Sequence, residues 1–191
     1  MTMETPDRRV VRTRRDVVDA TAALLIKDGW DGVTHAEVAR RSGYSKATIY
    51  THWPTRLDLI SDAIAQICDI ADHPPATGNL RADLRAALTD FATDLADGHL
   101  DRLLAGVVER ANTSNVIVAL RTRLYETGTN SLRSILDTHL DPSDVEPSLA
   151  LLTGAVLMRV TFEGVPMTEA LIDDLIDRVL TTSQVTPFDP S

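Results

Sequence analysis

Seven residues between Lys46 and His52 carry one ammonium, three hydroxyls and one imidazole, and not one carboxylate. Such a set suits contact with nucleic acid. Lys46 can approach guanine acceptors or a phosphate, Thr48 and Thr51 can meet a thymine methyl or donate to oxygen, and Tyr50 and His52 can donate to phosphates. The surrounding window is acid-free from 38 to 57, where the overall composition of 28 acids in 191 residues would place about three. It also holds Arg40, Arg41 and Arg56.

These groups need a helix to present them. Ser45 can cap a helix that carries Ala47, Thr48, Ile49, Tyr50, His52 and Trp53 before Pro54 ends it, with Ile49 and Trp53 pointing inward. Thr34 with Glu37 three residues later predicts a preceding helix over 35–41, separated by Ser42-Gly43-Tyr44. Two short helices around a glycine-bearing turn form a helix-turn-helix, whose second helix enters the major groove. Upstream, Thr13 with Asp16 reads as a capping box, and Val17, Val18, Thr21, Leu24 and Leu25 predict a helix over 14–27 stopped by Gly29. Further helices are expected at 55–70, 80–96, 99–111, 115–139, 144–163 and 168–181. No strand pattern and no repeat interrupts them, so the class is all-α.

The run Gly43-Tyr44-Ser45-Lys46-Ala47-Thr48-Ile49-Tyr50-Thr51-His52-Trp53 closely resembles the recognition-helix signature of tetracycline-repressor-like (TetR) regulators, usually Gly-x-Ser-Lys-x-Thr-Leu-Tyr-x-His-Phe. Ala22, Leu24, Leu25, Gly29-Trp30 and Val33-Thr34 resemble the same family's first helix and the start of its second. The resemblance implies groove contacts from Lys46 and Thr48, further base-facing positions at Ala47 and Thr51, and phosphate contacts from Thr34, Tyr50 and His52. Arg56 stands in place of the usual lysine, and Tyr44 and Ser45 complete the DNA-binding set. Trp53 for phenylalanine, Pro54, and Leu57-Asp58 are departures that alter packing.

Charge separates along the chain. Residues 1–60 hold ten Lys or Arg against eight Asp or Glu, whereas residues 61–191 hold nine against twenty, and the total is −9. Residues 1–12 are expected as a basic arm, either touching DNA or merely solvated, residues 13–57 as the three-helix DNA-binding domain, and residues 58–191 as a larger effector-binding and dimerisation domain. In the last part, apolar residues from Leu149 to Phe162 point all round the helix, while Leu171, Ile172, Leu175, Ile176, Val179 and Leu180 form one stripe. The family resemblance implies that these two helices pair with a second copy, giving Leu152, Val156, Leu171, Leu175, Ile176 and Val179 as dimer-interface residues. It also implies an inducer pocket, for which Ile64, Ile67, Cys68, Leu88, Phe91, Val107, Leu120, Leu124, Met158 and Phe162 are candidates; plain core packing accounts for each of them as well. Gly78-Asn79-Leu80-Arg81-Ala82-Asp83-Leu84 and Thr168-Glu169-Ala170-Leu171 resemble one subgroup's C-terminal domain.

Other classes find little support. There is no phosphate-binding glycine loop, no His-Glu-x-x-His and no Gly-x-Ser-x-Gly, so no enzyme and no cofactor are expected. Asp94, Asp97, His99 and Asp101 flank Gly98 and read as a polar turn rather than a metal site. The single cysteine cannot form an internal disulfide, and the N-terminus lacks a signal-like apolar region. With no apolar run long enough for a membrane span, a cytoplasmic protein is expected. The partners expected are an operator duplex, a second copy and a small-molecule effector, with repression as the family's usual mode. The alternatives are a helical interaction protein that has lost DNA binding and an enzyme with an N-terminal helical domain.

Overall fold

The computed structural model describes residues 8–70, 76–96, 100–111 and 113–183, which are mostly helical and contain no β-strand. The elements are α1 (Arg8–Gly32), α2 (His35–Ser42), α3 (Lys46–His52), α4 (Arg56–Ile70), α5 (Leu80–Ala96), α6 (Leu100–Glu109), α7 (Asn115–His139), α8 (Pro142–Leu157), a π-helical segment (Met158–Phe162) and α9 (Glu169–Thr182). Packing divides the described residues into two compact units. One comprises those up to Ile70 with Arg102–Leu124, and the other those of 71–101 with 125–191. This differs from the boundary expected after residue 57, because α4 packs along α1 and residues 102–124 join the same unit.

The start of α1 corrects the sequence reading. Residues 8–12 of the expected arm are helical, and residues 1–7 lie outside the described part. Thr13 does not cap: its hydroxyl donates to the Arg9 carbonyl one turn earlier at 2.9 Å, the pattern of a threonine inside a helix. No glycine or proline lies between Pro6 and Gly29, so nothing stops the helix from extending back. At its other end Gly29 takes φ 72° and breaks the helix axis before the turn into α2.

In the first unit α1 lies against α2 and α4 around Val17, Leu24, Leu25, Val33, Val38, Ile49, Leu59, Ile60 and Ile64, all fully buried. α6 closes over Trp30: a Cβ on Gly106 would lie 3.0 Å from the Trp30 Cβ, so a larger residue would need the indole to give by a few tenths of an ångström. The Arg110 guanidinium covers the same indole at 5.3 Å from the ring centre.

In the second unit α5 packs against α8, α9 and the π-helical segment. Leu84, Leu88, Leu149, Leu152, Val156 and Ile176 are wholly buried there. Two acids of α9 meet arginines of α5: Arg85 Nε donates to Asp173 at 2.8 Å, and Arg81 pairs with Asp177. Helix α8, expected over 144–163, begins at Pro142 and widens into π geometry at Met158. Together, Pro142–Phe162 is long and apolar enough to cross a membrane, with a mean hydropathy of 1.3. Its apolar residues Leu149, Leu152 and Val156 are instead spent on the core.

Asp83 ties down the chain before α5. Its buried carboxylate accepts the Thr77 hydroxyl at 2.7 Å and the amides of Thr77 and Gly78 at 3.0 and 2.9 Å. Burial pushes this carboxyl up, but the Thr77 hydroxyl and amide and the Gly78 amide outweigh it and hold the group below the usual aspartate range. A depressed carboxyl contributes stability that is full above its unfolded pKa and lost as pH falls through its folded one. Asp83→Asn is therefore expected to cost about 2 kcal/mol at neutral pH, lowering the melting temperature by roughly 4–8 °C. The gap from wild type should narrow in acid, which thermal melts at pH 7 and pH 3 would check; a constant gap would contradict it.

Candidate nucleic-acid interface

The helix-turn-helix is set by short-range caps. The Thr34 hydroxyl accepts the Glu37 amide at 3.2 Å to begin α2, and Gly43, at φ 79° and ψ 6°, ends it by donating to the Ala39 carbonyl at 3.0 Å. That left-handed conformation suits glycine, and it turns the chain at once into the next cap. Ser45 Oγ accepts the Thr48 amide at 3.1 Å and shares a 2.8 Å hydrogen bond with the Thr48 hydroxyl. Thr51 is likewise engaged, donating to the Ala47 carbonyl at 2.9 Å. After α3, Thr55 and Asp58 form a reciprocal capping box that opens α4: Asp58 accepts the Thr55 amide at 2.7 Å and returns its own amide to the Thr55 hydroxyl at 3.2 Å. The Leu57-Asp58 departure thus has a structural use.

Ile49 and Trp53 turn inward as expected and are buried. Lys46, Ala47, Tyr50, Thr51 and His52 form the exposed side of α3, Thr34 is exposed at the start of α2, and Thr48 is half-buried. Lys46 has no ion-pair partner among the described residues. Tyr44 takes another course: half-buried, its hydroxyl donates to Asp16 Oδ2 on α1 at 2.8 Å, so it braces the turn rather than reaching outward. Ser45 serves first as the cap.

Sequence reasoning missed His35. Its ring stacks face to face on Tyr50, 4.0 Å between centroids and 4° from parallel, and its Nε2–H donates to the Trp53 carbonyl at 2.8 Å. Tyr50, 51% exposed, thus has its ring orientation set by α2. The two residues are fifteen apart, with no local pattern to announce the contact.

The acid-free window is also less bare in space than in sequence. Arg40 Nε donates to Glu37 at 2.9 Å, and this bond to Arg40 holds the Glu37 carboxyl below its usual range. Arg41 lies 3.8 Å from Asp28, and Arg56 pairs with Asp31 at 3.2 Å. Exposed pairs of this kind are screened by solvent and contribute little, so a phosphate can displace them.

The other candidates fall in both units. Ile64, Leu88, Val107 and Leu120 are buried, and Ile67, Cys68, Phe91 and Leu124 half-buried. Met158 and Phe162 correct the pocket expectation: they are 53% and 75% exposed where the helix widens. The interface expectation changes too. Leu152, Val156, Ile176 and Val179 are buried within the chain itself, Leu175 nearly so, and Leu171 half-buried, because α5 covers that side of α8 and α9. Of the acidic turn, Asp97 and His99, with the side chain of Asp101, lie outside the described residues.

Comparison with known proteins agrees with this architecture. A regulator of unknown role from Mycobacterium tuberculosis, named as HTH-type, is 26% identical over 174 residues, covering 88% of this chain and 86% of its own. The HTH-type transcriptional regulator AqdR of Rhodococcus erythropolis is 27% identical over 178 residues, covering 90% and 86%. The crystal structure of the multidrug binding protein EbrR complexed with proflavin superposes with a TM-score of 0.67 at 19% identity, covering 87% of this chain and 99% of that one. Residues 17–63 match the bacterial regulatory proteins of the tetR family, and residues 74–179 match the tetracyclin repressor-like C-terminal domain. A capped helix-turn-helix with an exposed cationic and hydroxylic second helix, followed by that C-terminal domain, makes this chain a DNA-binding transcriptional regulator of the TetR family.

Proposed function

We propose that the chain is a ligand-responsive repressor, acting in the cytoplasm, that binds a near-palindromic operator as a homodimer and is released by a small-molecule effector. The exposed side chains of Lys46, Tyr50 and His52 on α3 carry the DNA side of this reading. By this reading Lys46 and Thr48 face base edges, Ala47 and Thr51 line the groove, and Thr34, Tyr50, His52 and Arg56 meet phosphates.

A second copy is needed to present two recognition helices to one face of the duplex. From α8 into the π-helical segment the outward residues Leu151, Met158 and Phe162 recur seven and four residues apart, with Leu151 44% exposed. A Cβ built on Gly154 between them would meet nothing within 4 Å beyond its own helix turn. This apolar strip, rather than the buried Leu152 and Val156, is the side of α8 offered to a partner. Within the first unit, Ile64, Ile67, Cys68, Val107, Leu120 and Leu124 are the candidate lining of an effector site, and the fold shared with EbrR, whose crystal structure is complexed with proflavin, supports an effector.

Selection of duplexes from a random library tests the reading. The retained sequences are expected to share an inverted repeat, and compounds that release the protein from them would identify the effector class. Retained sequences without two-fold symmetry would contradict dimeric binding.

A further inference from the structure

We infer that Asp62 is a positioning residue for DNA binding, fixing the C-terminal end of α3 to α4 through the Trp53 indole. The inference deepens the reading of α3 as the DNA-contacting helix and rests on it. Trp53 directly follows α3 and is 1% exposed. Its indole Nε1–H donates to Asp62 Oδ2 at 2.8 Å, and Arg14 Nη2 of α1 donates to the same oxygen at 2.6 Å. The Arg14 guanidinium also lies 5.6 Å from the centre of the indole ring. The Trp53 carbonyl, meanwhile, accepts from His35 on α2. One residue at the end of the recognition helix is therefore held by three helices.

The chemistry explains why an acid stands there. A buried indole N–H needs an acceptor, and a partly buried carboxylate needs donors and a compensating charge. Trp53 and Arg14 satisfy both requirements at one oxygen. The family's usual phenylalanine has no N–H to offer, so the role of Asp62 exists because tryptophan occupies position 53. A rotation of α4 carries Asp62 with it and pulls the indole, and the end of α3 bearing Tyr50 and His52 must follow. Bonds to one carboxylate oxygen at 2.6 and 2.8 Å leave little slack in that joint.

The test uses the full-length protein and the tightest duplex from the random library. Binding is measured well below each variant's melting temperature and corrected for folded fraction. Asp62→Ala is expected to raise Kd by about fivefold or more, and Asp62→Asn, which keeps an oxygen for the indole, by less. In a Trp53→Phe background Asp62→Ala should have almost no further effect on Kd, and the Trp53 indole proton should exchange faster in Asp62→Ala. Asp62→Ala that melts earlier yet binds within twofold of wild type would reduce Asp62 to a structural residue and overturn the inference. An undiminished effect of Asp62→Ala in the Trp53→Phe background would overturn it as well. Wild-type protein that retains no duplex would overturn the DNA-binding reading itself, and the inference with it.

Discussion

Phe162→Glu combined with Leu151→Glu is expected to yield a folded monomer that binds a two-half-site duplex at least about a hundredfold more weakly than wild type. Both side chains are exposed in the isolated chain, so the substitutions should alter intrinsic stability by roughly 0.5 kcal/mol or less. In a two-fold interface every substitution appears twice, and each glutamate would face desolvation and its own symmetry mate. A strip of this kind must contribute to about 800 Å² buried per partner, which four introduced carboxylates cannot cover. Leu152→Glu is the contrast: it puts a charge into a fully buried site of the same helix and should unfold the domain rather than separate two folded chains. Sedimentation, thermal melting and gel retardation distinguish these outcomes. A double variant that remains dimeric would move the interface away from this face of α8.

The second large effect is expected at α3. Lys46→Ala and Tyr50→Ala should each weaken operator binding by about 1–3 kcal/mol while leaving the melting temperature almost unchanged, since both side chains are exposed. The two should differ in kind. If the Lys46 ammonium reads guanine, its loss relaxes base preference at one position; if it meets a phosphate, affinity falls alike on all sequences. Tyr50→Phe keeps the ring that stacks on His35 and removes only the hydroxyl, so any loss it shows measures the phosphate contact. His35→Ala would then free the ring and weaken binding through Tyr50. Unchanged affinity in both Lys46→Ala and Tyr50→Ala would remove α3 from the interface.

The features legible in the sequence were those encoded over three or four residues. Thr34 with Glu37 and Ser45 with Thr48 cap their helices because a side-chain oxygen meets an amide within one turn, and that spacing is visible in the string. The inward turn of Ile49 and Trp53 follows from helical period alone. Local patterns misled where nothing enforced them: Thr13 and Asp16 match a capping box, yet no helix breaker separates them from Arg8, and the helix runs on. Contacts that depend on tertiary approach left no trace. Tyr44 reaches Asp16 across 28 residues and Arg56 reaches Asp31 across 25, and no local spacing announces either contact. In α8 the difficulty was of another sort. Apolar residues surround that helix, so its pattern shows that several sides are covered without showing which side the chain covers itself, and Leu151 and Leu152 exchange roles across a single residue.

The central claim, that α3 grips a duplex through Lys46 and its neighbours, is tested most directly by titrating wild type and Lys46→Ala against the selected operator at increasing salt. Each phosphate contact releases condensed counterions, so log K should fall linearly with log salt for wild type, with a slope of about −0.9 per phosphate neutralised. Lys46→Ala should then show either a slope shallower by about 1, as a phosphate contact requires, or an unchanged slope with relaxed base preference, as a groove contact requires. Wild-type binding indifferent to salt, or a Lys46→Ala protein matching wild type in affinity, slope and base preference alike, would contradict the account.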